Sequence, residues 1–297
     1  MRLWGQFRTK ISGRTKVCCV IGDPIEHTLS PVIHNAAFEE LNLDFVYLAF
    51  RVRREELRDA IAGAKSLDIH GLNVTMPHKT AVMEHLDEID STSRSIGAVN
   101  TILNAGGRLV GYITDGVGAI NALKENGVGL EGKKMLLLGA GGAGKAIAFN
   151  LAQEVEELKI LNRTTQKAKE LAEVLRKKFN KKVSGNSLSS ELLKNELEEA
   201  DILVNATSVG MHPDVHQSLV DPSWLRPDLC VMDLIYNPLE TKLAKDAKSM
   251  GAKVVSGIEM LVYQGAASFE IWTNHPAPVK VMKQAVLNKL SELGTLS

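Results

Sequence analysis

A run of small residues near the middle of the chain has the spacing of a phosphate-binding loop. Six of them follow the apolar run 135–138 and precede the apolar stretch 146–152: Gly139, Ala140, Gly141, Gly142, Ala143 and Gly144. Glycines let backbone N–H groups approach a pyrophosphate, and the first turn of the next helix adds positive potential. The pattern G-x-G-x-x-G alone is a weak signal, but its position between a strand and a helix favours a dinucleotide-binding loop.

The competing interpretation is the phosphate loop of nucleoside triphosphatases. Residues 139–145 also fit the pattern G-x-x-x-x-G-K, and Asp233 at the end of a later apolar run could help to hold magnesium. That loop needs a Ser or Thr hydroxyl directly after its lysine to ligate the metal. Residue 146 is Ala, so the dinucleotide loop is the better match.

Residues at the end of the next predicted strand indicate which dinucleotide binds. NAD-selective proteins usually place Asp or Glu about 20 residues past the loop, where it accepts the ribose hydroxyls. Here Asn162, Arg163 and Thr164 begin 18 residues after Gly144, and Lys167 follows one turn later. A carboxylate would repel a 2′-phosphate, whereas a guanidinium beside short polar groups binds it. We predict that these four residues bind NADP(H); the alternative is that Arg163 is a solvated strand-end residue and Thr164 only a helix cap.

Short polar residues cluster near other predicted strand ends in the first part of the chain. Ligands of open α/β sheets bind outside the carboxyl ends of the strands, so these clusters predict a second ligand site. In isolation Ser30 also fits a helix cap, and an amide such as Asn100 fits a satisfied core residue. The clusters are 27–31, 73–79, 97–101 and 114–116.

Alternating apolar runs and helical stretches must position these residues. The first part of the chain predicts three strands, a helix N-capped by Ser30, another helix over 54–65, and a hairpin. After Gly116 the alternation is regular, which predicts a parallel sheet covered on both faces. The helix over 165–179 is the strongest of this part, and the chain is helical from Met260 onward. The predicted strands are 16–22, 45–52, 69–75, 98–104 and 108–114, then 134–138, 158–161, 201–206, 229–234 and 253–255.

Composition excludes several classes of protein. The chain has 297 residues, with 35 Lys plus Arg against 35 Asp plus Glu and 44% hydrophobic residues. That length suggests two domains, and the apolar content excludes a disordered chain. The net charge of zero argues against a nucleic-acid partner. Cys18, Cys19 and Cys230 fit small core residues, and the histidines lack metal-ligand spacing, so we predict no metal. No apolar run is long enough to span a membrane, and we expect a cytoplasmic, soluble protein.

Several of these motifs together resemble the shikimate dehydrogenase family. They recur in family order from about Gly22 to Gln264, and include the stretches 205–211, 233–238 and 260–265 besides the glycine loop and residues 162–164. The resemblance implies reversible, NADPH-dependent reduction of 3-dehydroshikimate to shikimate in aromatic amino acid biosynthesis. It also implies an α/β fold of two domains: a mixed-sheet substrate domain of residues 1–116, completed by helices in 258–297, and a Rossmann-like, parallel-sheet NADP domain of residues 117–257.

The resemblance further implies roles for individual residues. Lys79 and Asp115 would be the catalytic pair, with the ammonium stabilising the developing alkoxide and delivering the proton. Met211 and the backbone of Gly257 would lie against the nicotinamide, and Thr207 would also contact the cofactor. The substrate carboxylate would be bound by Thr28, Ser30 and Tyr236, and the ring hydroxyls by Asn73, Thr75, Asn100 and Gln264.

Three positions depart from the family pattern. Thr28 replaces the first Ser of Ser-x-Ser, which keeps a hydroxyl and adds a methyl group. Ile113 replaces an Asn, and Glu259 places a carboxylate where a Gly near the nicotinamide is usual. None of the three belongs to the catalytic pair, so the implied activity is expected to persist.

Two other functions stay open at this point. A quinate/shikimate dehydrogenase that uses NAD would share most motifs, although Arg163 without an acidic neighbour weighs against it. A catalytically silent nucleotide-binding regulator would keep the glycine loop but would not need Lys79 and Asp115 together. The oligomeric state is also open, a homodimer included, as is the packing of Trp4.

Overall fold

The computed structural model describes residues 11–292, so Trp4 lies outside the described residues. The chain divides into two compact units: the first contains residues up to Thr114 and from Gly265 onward, and the second is Asp115–Gln264. The first domain border was predicted after residue 116, and the first unit ends at residue 114, two residues earlier. The second border was predicted after residue 257, and the second unit ends at residue 264, seven residues later. Those borders stay predictions.

The regular elements alternate as the sequence pattern predicts. The strands are β1 (Lys16–Gly22), β2 (Phe45–Arg51), β3 (Gly71–Val74), β4 (Glu88–Ile89), β5 (Thr101–Asn104), β6 (Leu109–Tyr112), β7 (Lys134–Leu138), β8 (Glu157–Asn162), β9 (Lys182–Ser187), β10 (Ile202–Asn205), β11 (Cys230–Asp233) and β12 (Lys253–Val255). The α-helices are α1 (Ser30–Glu40), α2 (Leu57–Ser66), α3 (Ser91–Ile96), α4 (Asp115–Glu125), α5 (Gly142–Glu154), α6 (Thr165–Phe179), α7 (Ser190–Glu199), α8 (Lys242–Ser249), α9 (Gly257–Thr273) and α10 (Val279–Glu292).

The first unit contains a mixed six-stranded sheet in the order β2-β1-β3-β5-β6-β4. Strand β1 pairs in parallel with β2 and β3, and β5 pairs antiparallel with both β3 and β6. The predicted hairpin is therefore confirmed, with shorter strands than expected and a turn closed by the Ala105 N–H donating to the Arg108 carbonyl. Because β5 runs against β3, the start of β5 lies at the same edge of the sheet as the end of β3.

The predicted helix cap at Ser30 is wrong. Ser30 is the first residue of α1, Leu29 occupies the cap position, and no side chain caps the helix. Pro31 sits in the first turn, where its missing N–H leaves no helix hydrogen bond unmade. The Ser30 hydroxyl instead lies 3.2 Å from the Thr28 hydroxyl, so its polar group serves the cluster described below.

The second unit contains an all-parallel sheet in the order β12-β11-β10-β7-β8-β9. The central strands β7 and β10 are buried along nearly their whole length, as expected for a parallel sheet covered on both faces. The sequence pattern predicted every strand of this sheet except β9, which pairs with β8 over six residues. That edge strand reads KVSGNS and buries only Val183, so it has no apolar run to reveal it.

The C-terminal part of α9 is anchored to the first sheet by Trp272. Its indole N–H donates to the Ile102 carbonyl at 2.9 Å, and its ring covers Gly71, where a β-carbon would lie 2.5 Å from the indole nitrogen. Helix α10 continues the same unit by packing against α1. None of the helices in residues 11–292 is long and apolar enough to cross a membrane.

Candidate active site

Buried polar side chains gather at one edge of the first sheet. Asn73 lies near the end of β3, Asn100 directly precedes β5, Thr114 follows β6, and Ser30 opens α1. These four residues are only 2–6% exposed. Since Asn73 is opposite Thr101 in the antiparallel pair of β3 and β5, the two asparagines are brought together by strand register.

The partners of Asn73 determine which way its amide points. Its nitrogen lies 3.1 Å from the Asn100 carbonyl oxygen, which can only accept a hydrogen bond. The same nitrogen lies 3.1 Å from Ser268 Oγ and 3.2 Å from Thr101 Oγ1. Its oxygen accepts from the Tyr47 hydroxyl at 2.6 Å. Both amide hydrogens therefore have acceptors within the protein, and Asn73 can offer a ligand hydroxyl a lone pair of Oδ1.

Asn100 is held by the segments on either side of β6. Its oxygen accepts from the Thr114 backbone N–H at 2.9 Å and from the Thr101 hydroxyl at 2.9 Å. Its nitrogen donates to Thr114 Oγ1 at 3.0 Å. Because a backbone N–H can only donate, the orientation of this amide is also determined.

Hydroxyl groups extend the same cluster toward the start of α1. The Thr28 hydroxyl donates to Ser30 Oγ at 3.2 Å, and Ser30 is near enough to Tyr47 to influence the pKa of its phenol. Burial raises the pKa of Tyr47, so its phenol stays protonated and can donate to Asn73. His34 stacks on the Tyr47 ring at 4.4 Å between centroids, and burial lowers the pKa of His34 to about 3. Its imidazole is thus neutral and acts as an aromatic support.

The loop after β3 carries Thr75 and Lys79. Thr75 donates its N–H to the Ile21 carbonyl at 3.0 Å, and the Lys79 carbonyl accepts from the Val99 N–H at 2.7 Å. Between them the buried His78 ring contacts the Val52 carbonyl at 2.7 Å. Backbone bonds to neighbouring segments therefore hold this loop, and the side chains of Thr75 and Lys79 are half-buried.

The glycine loop of the second unit has the geometry of a close backbone approach. It joins β7 to α5, with Gly141 at the N-cap position. Gly139 has φ +103° and lies against Ala206, so only glycine fits there. A β-carbon on Gly144 would lie 3.0 Å from the Gly139 carbonyl carbon and closer still to its oxygen, whereas Gly141 faces open space. The Ala140 N–H donates to Asn162 Oδ1 at 3.0 Å, which ties the loop to the end of β8.

The predicted 2′-phosphate residues follow Asn162 on the surface. Asn162 ends β8, and its amide nitrogen donates to the Thr164 carbonyl at 3.0 Å. Thr164 occupies the cap position of α6, but its side chain makes no cap hydrogen bond. Arg163, Thr164 and Lys167 are all exposed, which leaves the two cations and the hydroxyl accessible to an anion.

Asp233 organises the loop that holds Thr207. Thr207 donates its N–H and hydroxyl to Asn205 Oδ1 at 3.1 and 2.7 Å, and the Asn205 amide nitrogen donates to Asp233 at 3.0 Å. Asp233 also accepts from the Thr241 hydroxyl at 2.6 Å and from the Ile235 N–H at 3.1 Å. Burial raises the pKa of Asp233 in spite of these donors. Met211, farther along this loop, is half-buried.

The remaining predicted residues also belong to the second unit. Asp115 is the first residue of α4 and is 4% exposed, while Tyr236 follows β11 and has its pKa raised by burial. Gly257 begins α9, where a β-carbon would meet the Leu234 carbonyl oxygen at 2.7 Å. Gln264 donates to the Leu261 carbonyl at 2.9 Å within the same helix.

The departures from the family pattern at residues 113 and 259 are both buried. Ile113 is a buried apolar residue in the segment that follows β6, and Glu259 lies in the first turn of α9. Within residues 11–292 no group of three or more His, Cys, Asp or Glu side chains is placed to hold a metal ion. The absence of a resident metal stays a prediction.

Comparison with known proteins decides the family. Residues 20–102 match the family model for the shikimate dehydrogenase substrate binding domain, residues 121–234 that for shikimate / quinate 5-dehydrogenase, and residues 257–287 that for the shikimate 5'-dehydrogenase C-terminal domain. The shikimate dehydrogenase (NADP(+)) of Methanocaldococcus jannaschii is 47% identical over 283 residues, which cover 95% of this chain and 100% of that protein. The chain belongs to the shikimate dehydrogenase family.

Other members of the shikimate dehydrogenase family are similarly close. The shikimate dehydrogenase (NADP(+)) of Methanopyrus kandleri is 48% identical, covering 94% of this chain and 98% of its own. A crystal structure of a shikimate dehydrogenase in complex with NADP+ superposes with a TM-score of 0.89 at 45% identity, covering 96% of this chain and 99% of the other. The predicted two-domain α/β fold is therefore confirmed.

The structure groups the predicted residues within each unit. The first unit joins Asn73 to Asn100 and Thr28 to Ser30 by hydrogen bonds, and it places Thr75 and Lys79 on the loop that follows β3. The second unit brings the glycine loop to Asn162. Asp115, Tyr236 and Gln264 also belong to the second unit, so the residues predicted for the substrate are contributed by both units.

Sequence reasoning missed Tyr47 and Ser268. Both are buried and hydrogen-bond candidate site residues, Tyr47 from β2 and Ser268 from α9. Each is a single hydroxyl residue within an apolar stretch, which is a signal too weak to separate it from an ordinary core residue. Only strand pairing and the return of α9 place them beside Asn73.

Proposed function

We propose that this chain catalyses the reversible, NADPH-dependent reduction of 3-dehydroshikimate to shikimate in aromatic amino acid biosynthesis. The observation that carries this proposal is the buried array of short donors and acceptors in the first unit, within the region that matches the substrate binding domain of the family. Neutral hydroxyls and amides suit a small acid with several ring hydroxyls. A rigid site of this kind rejects analogues that lack one hydroxyl, because a buried polar group is then left unpaired.

Lys79 and Asp115 are the proposed catalytic pair. NADPH, when bound, supplies the hydride that forms the new C–H bond at the ketone carbon. As the carbonyl double bond opens, Lys79 stabilises the charge that develops on oxygen and delivers the proton that completes the hydroxyl group. Asp115 accepts a hydrogen bond from a substrate hydroxyl. Lys79 then recovers a proton from solvent, and the reverse direction uses its neutral amine as the base.

The other substrate-binding roles follow the chemistry of each group. Thr28 and Ser30 can turn their hydroxyl hydrogens toward the substrate carboxylate, and Tyr236 is proposed to help them. Asn73 offers an amide oxygen to a ring hydroxyl, since both of its amide hydrogens have acceptors within the protein. The remaining ring-hydroxyl contacts are proposed for Thr75, Asn100 and Gln264.

The second unit fits the cofactor. The open space at Gly141, the exposed N-cap residue of α5, suits a pyrophosphate, and Arg163 with Lys167 suits a 2′-phosphate. We propose that Gly139, Ala140, Gly142, Ala143 and Gly144 complete the phosphate loop, and that Asn162 positions it through Ala140. Thr164, Thr207, Met211 and Gly257 complete the proposed cofactor set.

Shikimate-dependent reduction of NADP+, followed by absorbance at neutral to alkaline pH, tests the activity. We expect turnover in the wild type and a loss of about 10²- to 10⁴-fold in kcat for Lys79→Ala. Lys65→Ala is the matched control, because this exposed lysine of the first unit pairs with Asp87 at the surface. Absence of wild-type turnover would refute the activity and favour the silent nucleotide-binding regulator. Full turnover by Lys79→Ala would refute the mechanism.

The ratio of kcat/KM for NADP+ over NAD+ tests the cofactor assignment. We expect Arg163→Ala to lower this ratio at least about tenfold, because it removes a charge-assisted bond to the 2′-phosphate. Lys169→Ala, an exposed cation farther along α6, should leave the ratio unchanged. An unchanged ratio in Arg163→Ala would contradict the assignment, and turnover of quinate with NAD+ would favour the quinate/shikimate alternative.

A cytoplasmic location and a homodimeric state complete the proposal. Light scattering of the purified chain measures the assembly directly. A mass twice the 32.3 kDa of one chain would support the dimer, and a mass of one chain would exclude it.

A further inference from the structure

We infer that Ser268, on α9, is a positioning residue for the substrate site, because it joins Asn73 and Asn100 through a directed chain of hydrogen bonds. This inference rests on the proposed function for the identity of the ligand. Ser268 is fully buried and its hydroxyl oxygen lies within hydrogen-bond distance of Asn73, Thr101 and Thr114, at 3.1, 2.8 and 3.3 Å. A buried hydroxyl with that many polar neighbours is a junction between side chains from separate segments.

The direction of the chain follows from its two ends. At one end the Asn73 amide nitrogen faces the Asn100 carbonyl, so this nitrogen is the donor toward Ser268 Oγ. At the other end the Thr114 N–H donates to Asn100 Oδ1, so that oxygen is an acceptor. The Thr101 hydroxyl can then donate its single hydrogen to Asn100 Oδ1 at 2.9 Å.

The shortest of these contacts, between Ser268 Oγ and Thr101 Oγ1, completes the chain. Thr101 Oγ1, having used its hydrogen, can only accept from Ser268 at 2.8 Å. Ser268 accordingly accepts from Asn73 and donates to Thr101, and the chain runs from Asn73 through Ser268 and Thr101 to Asn100. Hydrogen bonds in series polarise one another, so a break at any link weakens its neighbours.

The consequence concerns the substrate hydroxyls. Asn73 and Asn100 are the proposed partners of ring hydroxyls. Each can bind a hydroxyl with a defined hydrogen-bond geometry only while its own amide is held in one orientation. Ser268 is not among the proposed substrate-binding residues, and it acts by keeping the Asn73 amide from turning. Its removal should therefore weaken the recognition of ring hydroxyls more than it affects hydride transfer or the cofactor.

Steady-state kinetics of Ser268→Ala and Thr101→Val test the inference. For each variant we expect the KM for shikimate to rise about three- to tenfold, the range for loss of one buried hydrogen bond, with the KM for NADP+ unchanged. The preference for shikimate over an analogue that lacks one ring hydroxyl should fall by a similar factor. Because both variants break the same chain, the double variant should resemble the worse single variant rather than show the product of the two effects.

Two further variants keep the test decisive. Thr101→Ser retains the hydroxyl and should restore wild-type kinetics. Ser93→Ala is the matched control, since Ser93 is another fully buried serine of the first unit and its hydroxyl has no hydrogen-bond partner among the described residues. If Ser268→Ala does not fold, the comparison of Thr101→Val with Thr101→Ser carries the test.

The outcomes separate this inference from the proposed function. Absence of shikimate turnover in the wild type would remove the proposed function, and the inference with it. Wild-type turnover with an unchanged KM for shikimate in both single variants would overturn the positioning role alone. Multiplicative effects in the double variant, or equal rises in the KM for shikimate and NADP+, would also overturn it.

Discussion

Three of the four glycines of the phosphate loop, Gly139, Gly141 and Gly144, should respond to alanine substitution in different ways. In Gly144→Ala the new methyl group meets the Gly139 carbonyl, which is backbone and cannot turn away. In Gly139→Ala the methyl group lies 2.8 Å from the Ala206 carbonyl oxygen, and φ is +103°. In Gly141→Ala the methyl group meets no atom within 4 Å. The first two substitutions therefore disturb the fold, whereas the third occupies only the space proposed for the pyrophosphate.

The expected magnitudes follow from these contacts. Overpacking of a tight site costs about 1–3 kcal/mol, and backbone contact places Gly144→Ala toward the upper end of that range. For a unit of 150 residues (264 − 115 + 1) this corresponds to a fall in Tm of about 4–10 °C. Gly141→Ala makes the unfolded chain less flexible, which stabilises the folded protein by about 0.4–1 kcal/mol. Alanine is also a poorer N-cap residue than glycine, and this destabilises the helix by a similar amount. Its Tm should stay within about 2 °C of the wild type.

Thermal unfolding with and without NADP+ measures both effects without requiring turnover. The wild type should gain stability from the cofactor by mass action. Gly141→Ala should have a normal Tm alone and lose most of the gain with NADP+, because its methyl group excludes the close approach of the phosphates. Gly144→Ala should have a lowered Tm already in the absence of the cofactor. Stabilisation of Gly141→Ala by NADP+ equal to that of the wild type, or a loss of stability equal to that of Gly144→Ala, would contradict the proposed phosphate site at Gly141.

Two further predictions concern buried titratable groups. Burial lowers the pKa of His34 to about 3, so its imidazole is neutral in the folded protein, whereas in the unfolded chain the same imidazole takes up a proton near pH 6.5. As the pH is lowered from roughly 6.5 to 3, the free energy of unfolding should therefore fall by about 1.4 kcal/mol per pH unit. The free energy of unfolding, measured with urea across that range, should depend less steeply on pH in His34→Gln than in the wild type. An equal slope in the two proteins would contradict a buried, neutral His34. Asp233→Asn should cost about 1–3 kcal/mol, because the buried carboxylate accepts from three donors and an amide nitrogen would face one of them. Asp228→Asn is the control, since Asp228 forms an exposed ion pair with Arg226, and it should lower the free energy of unfolding by less than about 0.5 kcal/mol. Equal losses in the two variants would show that the Asp233 network contributes little to stability.

The local elements were predictable because each has a strong local cause. Helix α6 begins and ends at the predicted residues, since a run of good helix formers with an apolar stripe needs no partner to reveal it. Strands β7 and β12 also have their predicted bounds. Strand β9 was missed because its residues are polar and it becomes a strand only by pairing with β8.

Residue types and short spacings are local properties, so the amino-acid sequence alone predicts the chemical groups available to this protein: the glycine loop, the cations after β8 and the polar clusters of the first unit. Tertiary structure alone decided which of these groups meet. Antiparallel pairing of β3 with β5 brings Asn73 to Asn100, and the return of α9, anchored by Trp272 on Gly71, adds Ser268 to them. Ser30 shows the same division, since its sequence context indicates a helix cap and the fold gives its hydroxyl a place in the cluster. Contacts between residues 195 positions apart depend on strand register and helix packing, which no local pattern specifies.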